Sequence, residues 1–312
     1  MTTRAAPAPD ALTLDTLRAR RPRTLWNDAW RQFRRHRPAM LGLSVFLFFV
    51  VAVVIGPSVW HHPIDEINFA ARKQAPSLSH PFGTDDLGRD ILARILQGGR
   101  VSLSVGVVAM LIAVTIGTTI GAVAGYVGGV VDTVLMRFTD LLISLPQLPL
   151  LLLVVYLFRD RLRQSIGVES GTFLLMVIVL GGLRWMPVAR LVRAQFLSIK
   201  EKEYMEAARC LGVPAWRQVL VHMLPNAFSQ VIVAASLAIA AVILAESSLS
   251  FLGLGFPPDY PTWGRLLLDA KDLLQTAPHT VIFPGLMIFL TVLSINFIGD
   301  GLRDALDPRK AR

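Results

Sequence analysis

The chain has 312 residues, 53% of them hydrophobic and only 17% charged, with a mean hydropathy of +0.54. Soluble domains carry about 25% charged residues, and here the missing charge is concentrated in long runs free of Asp, Glu, Lys and Arg, which excludes an ordinary soluble enzyme. A net charge of +9 and a pI near 10.4 suit nucleic acid, anionic lipid or membrane topology, and the positions of the basic residues decide between them.

Residues 1–23 are basic and rich in Ala, Pro and Thr, the composition of a disordered tail. Within 24–80, Trp26, Trp30 and Phe33 recur at helical spacing among Arg31, Arg34, Arg35 and Arg37. That pattern predicts a helix on an anionic membrane surface with its aromatic face in the acyl boundary. It leads into the first uncharged run, 38–60, and an outer loop follows. The second run, 101–131, carries Gly117, Gly121 and Gly125 as two overlapping G-x-x-x-G steps, a face for close helix packing. Runs at 141–158, 170–189, 223–245 and 273–299 complete six predicted spans, the fourth interrupted by Arg184 and the sixth containing His279. The shortest has 18 residues, enough at ~1.5 Å per residue to cross the hydrocarbon core.

Six spans put both termini on one side. Of the 31 Lys and Arg, 20 then lie on that side and nine on the other, with Arg100 and Arg184 at span edges. Basic flanks stay in the cytoplasm, so both termini are expected there. The positive excess is thus a topology signal, and no nucleic-acid partner is expected.

Between the fourth and fifth spans, residues 193–226 are too many and too charged for a simple turn. Glu203, Glu206, Ala207, Ala208 and Arg209 favour helix, with Tyr204, Ala208 and Leu211 predicted on one stripe. Gly212 is placed to end that helix in a left-handed turn, and Pro214 to start another. In the second helix Trp216, Val219, Leu220 and Met223 repeat at i, i+3, i+4 and i+7. The product is a helix–Gly–helix elbow. Its small residues admit another protein's surface and its charges fix the register of docking; an amphipathic loop without a partner is the alternative reading.

Glu206-Ala207-Ala208, followed by Gly212 and closed by Leu224-Pro225, resembles the EAA motif of ABC-importer permeases. Other segments are similar to the C-type permease subunit of the dipeptide, oligopeptide and nickel branch. They are His80-Pro-Phe-Gly-Thr-Asp-Asp-Leu-Gly-Arg-Asp90, Gly128-Gly-Val-Val-Asp132, Glu246-Ser-Ser-Leu-Ser-Phe-Leu-Gly-Leu-Gly255, Pro261-Thr-Trp-Gly264 and the stretch from Asn296 to Pro308. The resemblance implies an all-α integral membrane protein of the bacterial inner membrane, with six transmembrane helices and both termini cytoplasmic. It implies an importer transmembrane domain over 81–308, with 309–312 as a tail. It also makes Glu203, Glu206, Ala207, Ala208, Arg209 and Gly212 the contacts of a coupling helix with a cytoplasmic ATPase. The implied partners are a homologous second permease, two ABC ATPase subunits and an extracytoplasmic substrate-binding protein, all assembled in or on the lipid bilayer. The implied cargo is peptide, with a nickel chelate, glutathione or an opine as alternatives.

No G-x-x-x-x-G-K-[ST] occurs and none of the five lysines follows a glycine, so ATP and Mg are expected on the partner ATPase subunits and no cofactor on this chain. No G-x-S-x-G or H-E-x-x-H occurs either, so no catalytic residue is expected. His61, His62 and His80 lack metal-ligand spacing and Cys210 stands alone, so no metal site is expected. Glu246 closes an uncharged run and precedes the Gly-rich segment 251–256. Two readings of it stand: a helix-end carboxylate accepting backbone hydrogen bonds, or, with Phe251 and Gly255, part of an outer gate or pathway. Asp132, Arg137 and Asp140 read as a structural trio with Arg137 paired to either acid. A secondary transporter is the competing class, and it would place charges near the middle of several spans; the runs hold almost none.

Overall fold

Capping residues, more than the points where charge resumes, set where the helices begin and end. The structure, a computed structural model, describes residues 25–306, excluding the side chains of Leu25, Trp26 and Asp28. The tails expected at 1–23 and 309–312 lie outside the described residues. Helix α1 (Leu25–Arg35) turns into α2 (Arg37–Val59) at His36, whose Nδ1 accepts the Ala39 N–H at 3.2 Å, with Pro38 in the first turn. Asp90 caps α3 (Ile91–Val127) by accepting the Ala93 N–H at 2.7 Å, and Gly128, at φ +73°, ends it. This helix starts well before the uncharged run because its two arginines find partners. Arg94 reaches Asp85 at 3.1 Å, and Arg100 donates to the Val53 and Val54 carbonyls at 2.9 and 2.7 Å.

The third expected span is a corner, which corrects the straight helix read over 141–158. Helices α4 (Gly129–Ser144) and α5 (Gln147–Ile166) meet at 87°. Pro146 disfavours helical backbone at Leu145, which is extended at ψ 136°. The fourth span is also interrupted: α6 (Val168–Gly182) passes to α7 (Trp185–Lys200) through Leu183 and Arg184. Short α8 (Glu203–Cys210) follows, then α9 (Ala215–Phe251), which is π-helical over Gln218–Met223. Pro225 lies two residues beyond that stretch; its ring crowds the carbonyl four residues back, and a π-turn relieves the crowding. Finally α10 (Trp263–Ala270) and a 3-10 turn lead to α11 (His279–Leu306), so the last span begins at His279 rather than at Leu273. Among the described residues, five helical segments are long and apolar enough to cross a membrane, and the bent α4–α5 pair, taken as one span, brings the number to six.

Helix α3 is the hub, lying along α7, α9 and α6. A core of Val105, Ala109, Val155, Leu180, Val242 and Leu249 joins it to α5, α6 and α9. On the outside, Leu47, Phe48, Val51, Val54 and Ile55 of α2 are exposed, as suits a surface solvated by lipid. The aromatic face expected to lie at the acyl boundary is divided: Phe33 is buried against Ala39 and Ala305, while its stacked neighbour Trp30, 5.9 Å away, is exposed.

Candidate functional site

At one end of the bundle, α7, α8 and the start of α9 form the elbow. Helix α8 ends in a Schellman turn: Val213 N–H donates to Ala208 O at 3.0 Å and Gly212 N–H to Arg209 O at 2.9 Å, with Gly212 at φ +72°. Its inner face is Met205, fully buried, and Ala208, so the stripe expected from Tyr204, Ala208 and Leu211 is corrected: Leu211 is 83% exposed. Met205 packs with Val192, Phe196, Ile199, Met223 and Ala227, which pins the elbow to α7 and α9. Glu203, Glu206, Ala207 and Arg209 all point outward. In α9 the predicted stripe also splits. Met223 is buried while Trp216 is 64% exposed, because the π-turn winds more residues per turn than the 3.6 period assumes.

Polar ties fix the elbow's root. Lys200 Nζ donates to Tyr126 O at 2.7 Å, Arg209 donates to Lys200 O at 3.0 Å, and Gln218 Nε2 donates to Val213 O at 2.7 Å. The trio read as Asp132, Arg137 and Asp140 is rearranged. Arg193 of α7 grips Asp132 with two bonds of 2.5 and 2.6 Å, Arg190 pairs with Asp140, and Arg137 is exposed. Arg190 and Arg193 lie 50 and 61 residues from these acids, a separation that no local spacing reveals. Gly117, Gly121 and Gly125 face the same helix. A Cβ at these positions would come within 2.6 Å of Trp185 O, 2.5 Å of Ala189 O and 2.6 Å of Phe196 Cβ. Helix α7 therefore bears on α3, on α4 and on the elbow together.

At the other end, Glu246 is fully buried. Ser250 Oγ donates to it at 2.8 Å and Ser102 Oγ, from α3, at 3.3 Å. The donors are hydroxyls and not the backbone N–H groups of a helix end. Thr262 Oγ1 lies 3.4 Å from Ser250 Oγ, and Trp263 N–H donates to Ser102 Oγ at 3.3 Å, so the carboxylate ties α3, α9 and α10. Gly255 completes the cluster: a Cβ there would lie 2.0 Å from Ser250 Oγ. Phe251 is 44% exposed and stands outside it. Asp85, Arg89, Arg94 and Asp269 form an ion-pair network beside this cluster. His80 Nδ1 bonds Asp90 Oδ2 at 2.8 Å. Among the described residues no three His, Cys, Asp or Glu side chains converge as metal ligands.

Residues 117–312 match the family described as a binding-protein-dependent transport system inner membrane component, and residues 24–76 match the N-terminal TM domain of oligopeptide transport permease C. The chain is 43% identical over 289 residues to the oligopeptide transport system permease protein OppC of Escherichia coli (strain K12), spanning 92% of each protein. It is 40% identical over 286 residues to the dipeptide transport system permease protein DppC of Bacillus subtilis (strain 168), spanning 91% of this chain and 86% of that one. With the glutathione transport system permease protein GsiD of Pectobacterium atrosepticum it shares 39% over 299 residues, 95% of each.

Proposed function

The chain belongs to the family of binding-protein-dependent transport system inner membrane components, and from that membership we propose that it forms half of the translocation pathway of an ATP-driven importer of peptides or a related small solute. The other half is a homologous permease. Two ABC ATPase subunits bind from the cytoplasm, one on the elbow of each permease, and an extracytoplasmic binding protein delivers the solute at the opposite end. The observation that carries this reading is the build of α8. It is held from behind by buried Met205, while Glu203, Glu206, Ala207 and Arg209 are presented outward. A helix so anchored transmits force, whereas a loose loop would absorb it.

ATP and Mg bind on the ATPase subunits, and closure of those subunits carries α8 with them. Helix α7 is continuous with the root of α8 and lies against the glycine face of α3, so displacement of the elbow tilts the spans between inward-open and outward-open packings. Moving such an equilibrium from 1:99 to 99:1 takes about 5.5 kcal/mol of differential binding. The Glu246 cluster clasps α3, α9 and α10 at the far end and serves as part of the outer gate. Peptide is the favoured cargo, because the relatives above are named for oligopeptide, dipeptide and glutathione transport.

Co-purification tests the assembly. A tagged copy should bring down a second permease and an ATPase, and the complex in liposomes should import a labelled peptide with ATP and binding protein. A chain that purifies alone and transports unaided would be a secondary transporter instead.

A further inference from the structure

Two cavities of about 400 and 390 Å³ open on either side of the start of α7, and Arg184 lines both. The first lies between the α4–α5 corner and the α6–α7 break, and Gln147 Nε2 donates across it to Leu183 O at 3.2 Å. The second runs between α7, α9 and the end of α11 and holds Gln230 and Arg303. Neither lining contains a carboxylate. Three other arginines on these helices are engaged, Arg193 with Asp132, Arg190 with Asp140 and Arg163 with Gly255 O, whereas Arg303, at the end of the second cavity, and the exposed Arg137 and Arg161 have no such bond among the described residues. Arg184 has no side-chain hydrogen bond or ion pair among the described residues, and its Nε is buried without a partner.

A guanidinium held inside a transmembrane bundle without an acid is costly, and such residues face a cavity and serve a pathway. Its position adds to the argument. Arg184 sits one helix length, ~24 Å at 1.5 Å per residue, from Lys200 at the elbow, well inside the bundle. Interrupted spans are where transporters expose polar groups to their cargo, and there anions meet the N-terminal ends of half-helices. Helices α5 and α7 both begin at these breaks, without a side-chain cap. Helices α4 and α6 end at the same breaks, so the guanidinium, and not the helix ends, supplies the positive charge there.

We propose that Arg184 is an anion-recognition point inside the pathway that takes the free carboxylate of the passing solute. The assignment rests on the peptide-import reading above, since every linear peptide with an unblocked C-terminus carries this group. Guanidinium presents a planar fork that matches a carboxylate with two parallel N–H bonds. The apolar remainder of the linings accepts varied side chains, so Arg184 orients the solute without reading its sequence.

The test uses the assembled complex in lipid nanodiscs, treated with the arginine-selective reagent phenylglyoxal and read by peptide mass spectrometry. Trialanine, a free acid, should slow modification of Arg184 at least about fivefold, and trialanine amide should leave it unchanged. Arg193, which lines neither cavity, and the exposed Arg137 in the same digest are the controls. Equal modification with and without trialanine, or equal protection by acid and amide, overturns the assignment. In liposomes, R184Q should cut the initial rate of trialanine uptake about tenfold, the cost of one charged hydrogen-bonding partner, and R184K should recover part of it. Uptake by R184Q at the wild-type rate also overturns the assignment. Wild-type complex that hydrolyses ATP but imports no peptide overturns the function proposed above and not this one, because the footprint needs no transport.

Discussion

Glu246 shows what a single buried carboxylate demands. Taking a carboxyl group out of water is expensive unless hydrogen bonds replace the lost solvation, and here Ser102 and Ser250 donate to it from α3 and from its own helix. Truncation by Glu246→Ala strands both hydroxyls and opens a void, so it should cost roughly 2–4 kcal/mol and lower the unfolding midpoint of the purified chain in detergent. Glu246→Gln keeps the shape and one acceptor, and hydroxyl rotors can turn to accept from its amide. That variant should accumulate in the membrane close to the wild-type level while transport falls, as a gate role requires. A Gln variant that fails to accumulate assigns the carboxylate to stability alone.

Helices α3 and α7 touch through glycine, and their separation is set by the absence of side chains. At Gly121 a Cβ would sit 2.5 Å from Ala189 O, a backbone atom that cannot swing aside. Gly121→Ala should therefore destabilise by about 1–3 kcal/mol. Gly182→Ala, where nothing lies within 4 Å of the added atom, should stay within about 0.5 kcal/mol in the same thermal unfolding measurement. The elbow separates anchor from contact in the same way. Met205→Ala removes a fully buried side chain at a cost of about 2–5 kcal/mol and should loosen α8, giving ATP hydrolysis that no longer drives uptake. Ala207→Glu leaves the packing alone and should instead block ATPase docking in pull-downs; normal assembly and uptake by that variant would remove α8 from the interface. Much of this was legible before any coordinates. The span count follows from the uncharged runs, and the glycine face and the Gly212 stop follow from spacing along one helix. Two other features did not follow: the corner at Pro146 was hidden inside an uncharged run, and the π-turn shifted Trp216 and Leu220 off the face their 3.6-residue period assigned. The acid partners of Arg190 and Arg193, and the lack of one at Arg184, depend on contacts between helices far apart in sequence.

For the whole molecule, one asymmetry remains to be tied to the bilayer. The elbow, α1 and the end of α11 gather at one end of the bundle, and the 61–90 loop with α10 gathers at the other. In the sequence, 20 of the 31 basic residues fall in the segments that six spans, taken in chain order, put on the elbow's side. The inner leaflet and the translocation machinery retain Lys and Arg flanks on the cytoplasmic side, so the elbow end should face inward, where ATP is. The chain carries its own reporter for this, since Cys210 is its single thiol and lies exposed on the elbow. Leu78, at the tip of the opposite loop, is fully exposed and offers a matched site. Expressed without its partners, the wild-type protein should resist a membrane-impermeant thiol reagent in intact spheroplasts and react in inside-out vesicles. Leu78→Cys in a Cys210→Ser background should do the reverse. Labelling of Cys210 from outside would invert the molecule, put the elbow beyond the reach of any cytoplasmic ATPase, and thereby remove the physical basis for coupling.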